Sequence, residues 1–108
     1  MPLTKSFRES LMEELRDKEY RRAFLGEAIR DLLDGDLDSA KITLREYING
    51  TVGFIDLGGA LGRSPKSLMR MLSQEGNPQA RGLLEVVAYL QKADGASVEI
   101  RVSDAVAA

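Results

Sequence analysis

Apolar residues recur along this chain at spacings of three and four, the period of a helix packed on one side. Phe7, Leu11 and Leu15 form a narrow stripe and predict a helix over 3–15. Asp17 then offers a side chain that can accept from free backbone N–H groups, so a second helix is expected from Lys18 to Leu33. It carries two rows, Phe24, Ala28, Leu32 and Leu25, Ile29, Leu33, extended by Tyr20 and Ala23. That face is broad enough for more than one neighbour. Asp34-Gly35-Asp36 stops this helix and starts the next, in which Leu37, Ala40, Leu44, Tyr47 and Ile48 keep the period up to the turn at Asn49-Gly50.

The stretch 53–72 organises the rest. Phe54, Leu57, Gly58 and Leu61 fall on one helical face, and Gly62 can end that helix in the left-handed conformation. Ser64 is a cap and Pro65 suits a first helical position, where its missing N–H costs nothing. Leu68, Met71 and Leu72 face inward. At about 100° per residue, Arg63, Lys66 and Arg70 cluster on the outward side. Two helices, a glycine turn and a basic outer face spell a helix-turn-helix with Pro65 to Leu72 as its recognition helix. The competing reading is a helix pair with a purely structural role, as in an all-α adaptor. Gly58 and Gly59 each cost about 1 kcal/mol relative to alanine inside a helix. Gly58 lies on the apolar face, where close approach of the next helix is a sufficient reason; Gly59 has none in the sequence.

Ser73-Gln74-Glu75-Gly76-Asn77-Pro78 reads as a loop. A helix from Gln79 to Lys92 follows, with Ala80, Leu83, Leu84, Val87 and Leu90 inward. After a turn at Asp94-Gly95-Ala96, residues 97–102 alternate polar and apolar, the period of a strand. Val98, Ile100 and Val102 would face the protein, while the edge of this lone strand lacks a partner. Three solutions are open: the same strand of a second copy across a two-fold axis, addition to another protein's sheet, or a short tail lying on its own core.

The expectation is therefore an all-α helix bundle with one C-terminal strand, in a single 108-residue domain. Residues 1–35 form an N-terminal helical extension, 36–95 the helix-turn-helix core and 97–102 the strand. Charge sharpens this picture. The chain carries 15 Lys and Arg against 17 Asp and Glu, yet Arg63, Lys66, Arg70 and Arg81 meet only Glu75 between Gly62 and Gly82. A basic patch on an acidic chain suits local attraction to phosphate. There is no cysteine and no histidine, which removes the usual nucleophile, general base and zinc ligands. No catalytic residue, metal or cofactor is predicted. No apolar run approaches the roughly 20 residues of a membrane span, and the first residues lack the apolar core of a signal peptide. A cytoplasmic location with no membrane partner is expected.

The order Leu57-Gly58, Leu61-Gly62, Arg63-Ser64-Pro65-Lys66-Ser67-Leu68, Arg70-Met71-Leu72, Gly76-Asn77-Pro78, then Leu83 and Val87, resembles the Xre/Cro-type, lambda repressor-like helix-turn-helix. More narrowly, it is similar to the addiction module antidote (HigA-like) antitoxins of type II toxin–antitoxin pairs. Asp17-Lys18-Glu19, Phe24-Leu25, Ala28, Leu33 and Gly35-Asp36 resemble the upstream helices of those antidotes. The chain departs from the family at Gly58, usually alanine, at Pro65, usually polar or basic, and at Met69, usually aromatic. The resemblance implies an antitoxin that neutralises a small RelE/ParE-like toxin and, as a homodimer, represses its own operon by binding a palindromic operator. It further implies that Ser64 and Ser67 bond phosphates, Lys66 and Arg70 reach bases or phosphates in the major groove, Arg63 holds the backbone and Met69 borders the DNA. The acidic helices before Gly35 are the expected toxin-binding surface. The alternative is a free-standing repressor with the same DNA chemistry and no toxin.

Overall fold

The third helix is the hub of the molecule, and its Ala40, Leu44 and Ile48 have no exposed surface. This emerges from a computed structural model that describes residues 6–106. The helices are α1 (Phe7–Glu14), α2 (Lys18–Leu33), α3 (Leu37–Gly50), α4 (Phe54–Leu61), α5 (Pro65–Met71) and α6 (Ala80–Ala93). The beginning of the first helix expected at 3–5 lies outside the described residues. Contacts of α3 reach α1, α2 and α4, while α4 also meets α5 and α6. A single apolar core results, running from Leu11 and Leu15 through Leu25, Tyr47 and Leu57 to Leu68 and Leu90.

Local signals place most boundaries. Asp17, Asp36 and Ser64 accept from the backbone N–H three residues on, at 3.0, 3.1 and 3.0 Å. Each such cap is worth about 1 kcal/mol. Gly62 ends α4 at φ +67°, which lets Arg63 N–H return to the Gly58 carbonyl at 3.0 Å.

The buried faces are narrower than the periodicity predicts. Phe7 is exposed, leaving Leu11 and Leu15 to seat α1. Leu33 and Ala23 are exposed too, because α2 packs chiefly on α3 and buries only the side that meets it. In α6 the buried stripe is Gly82, Val86, Val87 and Leu90, rotated from the expected one, so that Ala80 and Leu84 face outward.

One partly buried cluster ties the start of α2 to the end of α6. Asp94, at the end of α6, bonds Arg21 Nε at 2.8 Å and Arg22 Nε at 2.9 Å. The same guanidinium groups cap helix ends, Arg21 donating to the Leu15 and Arg16 carbonyls after α1 and Arg22 to those of Asp94 and Gly95 after α6. Burial would raise the Asp94 carboxyl, but the hydrogen bonds and charges of Arg22 and Arg21 outweigh it and hold the group below its ordinary value.

The expected strand is not formed. Residues 97–102 run without a ladder, and no strand occurs among the described residues. Ile100 and Val102 are exposed instead of facing the protein, and only Val98 is partly covered. A ladder needs a second strand, and the described residues supply none. Among the described residues no helix is long and apolar enough to cross a membrane.

Candidate nucleic-acid interface

A seven-residue helix does not hold itself together, so the position of α5 rests on what grips it. Its inner residues Leu68 and Leu72 are fully buried. At its start Ser64 provides the cap. Beyond its end, Arg45 of α3 donates to the Leu72 carbonyl at 2.6 Å. Lys41, also of α3 and only 3% exposed, donates to the carbonyls of Gln74 and Gly76 at 3.1 and 2.7 Å. A buried ammonium is tolerable only when such acceptors replace its water. Lys41 thereby fastens the loop after α5 to the hub helix. This residue escaped the sequence reading, although the signal was present: it stands three and seven residues before Leu44 and Ile48 and so shares their face.

The contact between α4 and α5 depends on Gly58. A methyl group there would lie 2.5 Å from the Arg63 carbonyl oxygen and 3.3 Å from Pro65 Cδ. Both neighbours are stiff, so the turn can close this tightly only around glycine. An alanine would not fit this geometry. At Gly59 a methyl group would meet nothing within 4 Å, and nothing in the structure explains the glycine.

With its inner face fixed, α5 presents Lys66, Ser67, Met69 and Arg70 to solvent. The side chains of Lys66 and Arg70 form no hydrogen bond or ion pair with the described residues, so their donors are available. Ser67 is exposed beside them, whereas the Ser64 oxygen already accepts from Ser67 N–H. Met69, one residue before Arg70, is half exposed. The structure therefore brings five of the six expected residues, Ser64, Lys66, Ser67, Met69 and Arg70, onto one helix and its cap.

Arg63 is placed differently. It lies in the turn, not on α5, and reaches across to α6, where its Nε and Nη2 donate to Glu85 Oε1 at 3.2 and 3.0 Å. It forms one wall of a groove of about 440 Å³ between α5 and α6, which Ser67, Arg70, Glu75 and Arg81 also line. Sequence reasoning noted Arg81 only as charge and missed Glu85 altogether, because neither spacing nor period links positions 63 and 85.

The electrostatics follow from this layout. Arg63 is half neutralised by Glu85, whereas Arg70 and Arg81 on the groove wall, and Lys66 elsewhere on α5, form no ion pair with the described residues. Such a surface can hold phosphate oxygens, and long side chains on an exposed helix face can reach the edges of bases. A second cavity, of about 360 Å³, lies at the far end between Leu15, Tyr47 and Leu90. The Arg21 and Asp94 side chains facing it are already bonded to each other. Among the described residues no three His, Cys, Asp or Glu side chains gather to hold a metal ion. The expected dimerisation residues Val98, Ile100 and Val102 lie on the tail, not near α5 in sequence or element, with Val98 N–H bonded to Gln91 Oε1 of α6 at 2.9 Å. Neither a family model nor a curated protein nor a solved structure matches this chain.

Proposed function

We propose that this protein is a DNA-binding antitoxin that represses its own operon and neutralises a cognate small toxin of the RelE/ParE type. In this reading α4 and α5 form a helix-turn-helix, and α5 enters the major groove of a palindromic operator. Lys66 and Arg70 contact bases or phosphates, Ser67 and the Ser64 hydroxyl bond phosphates, and Met69 packs at the edge of the contact. Arg63 contributes to the backbone once its bond to Glu85 loosens. The observation that carries the DNA part is the pair of unpaired cations on a helix whose other side is locked by Leu68, Leu72 and two cationic side chains from α3. Donors held rigidly and left unsatisfied suit a ligand that supplies acceptors.

The toxin part rests on the resemblance and on the surface of α1 and α2. Residues 6–35 contain eight carboxylates and six cations, and two of those cations, Arg21 and Arg22, are spent on Asp94. The remaining surface is acidic and complements a basic nuclease. The second reading, a repressor without a toxin, shares the α5 chemistry.

Fluorescence anisotropy against the DNA upstream of the gene, beside a scrambled duplex and across salt concentrations, tests the first part. The native duplex binds more tightly, and K66A/R70A abolishes the difference. Equal binding to both duplexes, unchanged by the double substitution, overturns the assignment. Co-purification of a small basic protein encoded beside the gene separates antitoxin from free-standing repressor.

A further inference from the structure

The last turn of α5 is held by more than its own helix. The loop that follows folds back on it. Ser73 donates to the Arg70 carbonyl twice, through its N–H at 3.2 Å and its hydroxyl at 2.7 Å. Gly76 N–H in turn donates to the Ser73 carbonyl at 2.9 Å. The approach is so close that a methyl group on Gly76 would stand 2.5 Å from the Met71 carbonyl oxygen and nearer still to that of Arg70. The same loop is gripped by α3, where Lys41 and Arg45 lie one turn apart on a single face. Lys41 takes the Gln74 and Gly76 carbonyls and Arg45 that of Leu72. The exposed Asp38 carboxylate stands 3.8 Å from the Lys41 ammonium. Water would satisfy those loop carbonyls without ordering anything. Burying a long, charged side chain to do so sacrifices hydration and rotamer freedom, and what it gains is a fixed position.

We infer that Lys41 is a positioning residue for Arg70: through Gly76 and Ser73 it fixes the last turn of α5 and so the place from which the Arg70 side chain leaves the helix. The inference rests on the DNA reading of α5 and deepens it, because it assigns Arg70 to a base edge. Attraction to a phosphate tolerates a displaced cation and carries no sequence information. A paired contact with a base edge needs both donors aimed at once, and it is lost when the helix end shifts. Lys41 touches no ligand in this scheme. Releasing its grip therefore removes the discrimination between sequences and leaves the sequence-independent affinity as it was. Lys66, in the first turn of α5, lies outside the reach of the clamp.

The test uses the full chain with two substitutions in the clamp and one outside it. K41M keeps an unbranched side chain and removes the ammonium. G76A pushes the loop off the Arg70 and Met71 carbonyls while Lys41 stays in place, so it stands alone if K41M does not fold. D94A loosens the protein at the contact of α2 with α6, away from the loop. Anisotropy against the native and scrambled duplexes is read beside amide hydrogen exchange. In K41M and G76A the preference for the native duplex falls by about tenfold or more, as the loss of one paired base contact would give. Affinity for the scrambled duplex and its salt dependence stay within about twofold of wild type. The Ser73 and Gly76 amides exchange faster relative to those of α2. D94A lowers the melting temperature and keeps the preference. A wild type that binds both duplexes equally overturns the DNA reading and this inference with it. A wild type that prefers the native duplex, with K41M and G76A preferring it as strongly, overturns the inference alone. So does a loss of preference in D94A as large as that in K41M, because the clamp would then act only through overall stability.

Discussion

Two groups of cations in this molecule have the same chemistry and opposite fates. Arg21 and Arg22 turn inward, where their donors are consumed by Asp94 and by four main-chain carbonyls at the ends of α1 and α6. Lys66 and Arg70 turn outward from α5 with no acceptor among the described residues. The first group joins helices distant in the chain; the second, in the proposed function, is left for DNA. Arg63 stands between them, bonded to one carboxylate but still on the wall of an open groove. A basic residue thus declares its role through the acceptors around it, and a count of charges along the chain cannot separate the two groups.

The contrast can be broken most forcefully at Asp94. D94A removes the common acceptor and leaves two guanidinium groups partly buried without it. A loss of about 3 kcal/mol is expected from the behaviour of broken buried pairs, read by chemical denaturation. DNA affinity per folded molecule stays as it was. The mirror-image change, K66A/R70A, leaves stability within about 0.5 kcal/mol of wild type and costs about 2–3 kcal/mol in operator binding, with a shallower salt dependence. If the double variant instead lowered the melting temperature by as much as D94A, the division of labour between the two groups would be wrong.

Smaller effects sharpen the picture. G58A, which forces a methyl group onto the Arg63 carbonyl, destabilises by about 1–3 kcal/mol, whereas G59A gains up to about 1 kcal/mol from helix propensity. The pair separates a tight turn from an unconstrained site. Acid titration probes the inner cluster alone. The Asp94 carboxyl lies below its ordinary value of 3.8, so its contribution is complete above that pH and disappears as pH falls through the depressed native value. The stability gap between wild type and D94A therefore narrows in strongly acidic solution, as thermal melts at a series of pH values would record. The smallest change is E85Q, which removes the negative charge facing Arg63 and tightens DNA binding by a few-fold at low salt, with little effect at high salt.

The legible part of the fold was the local part. Asp17, Asp36 and Ser64 cap helices through bonds spanning three residues, and Gly62 closes a turn whose ends are five residues apart. Such interactions are written in adjacent positions, so the bounds of α2, α4 and α5 could be read to within a residue. The outer face of α5 was legible for the same reason, since 100° per residue sorts its neighbours into inside and outside. Buried stripes were less legible. Phe7, Leu33 and Leu84 obey the helical period and are nevertheless exposed, because the period says which residues share a face and not how wide a neighbour covers it.

The chain by itself determined helices, caps, the glycine turn, the basic outer surface of α5 and an alternating tail. Tertiary structure alone decided that Lys41 would be buried beneath the loop after α5, that Arg63 would face Glu85, and that Arg21 and Arg22 would converge on Asp94. These contacts join positions 22 to 73 residues apart. The geometry that sets them is the packing of whole helices, and no run of neighbouring residues encodes it.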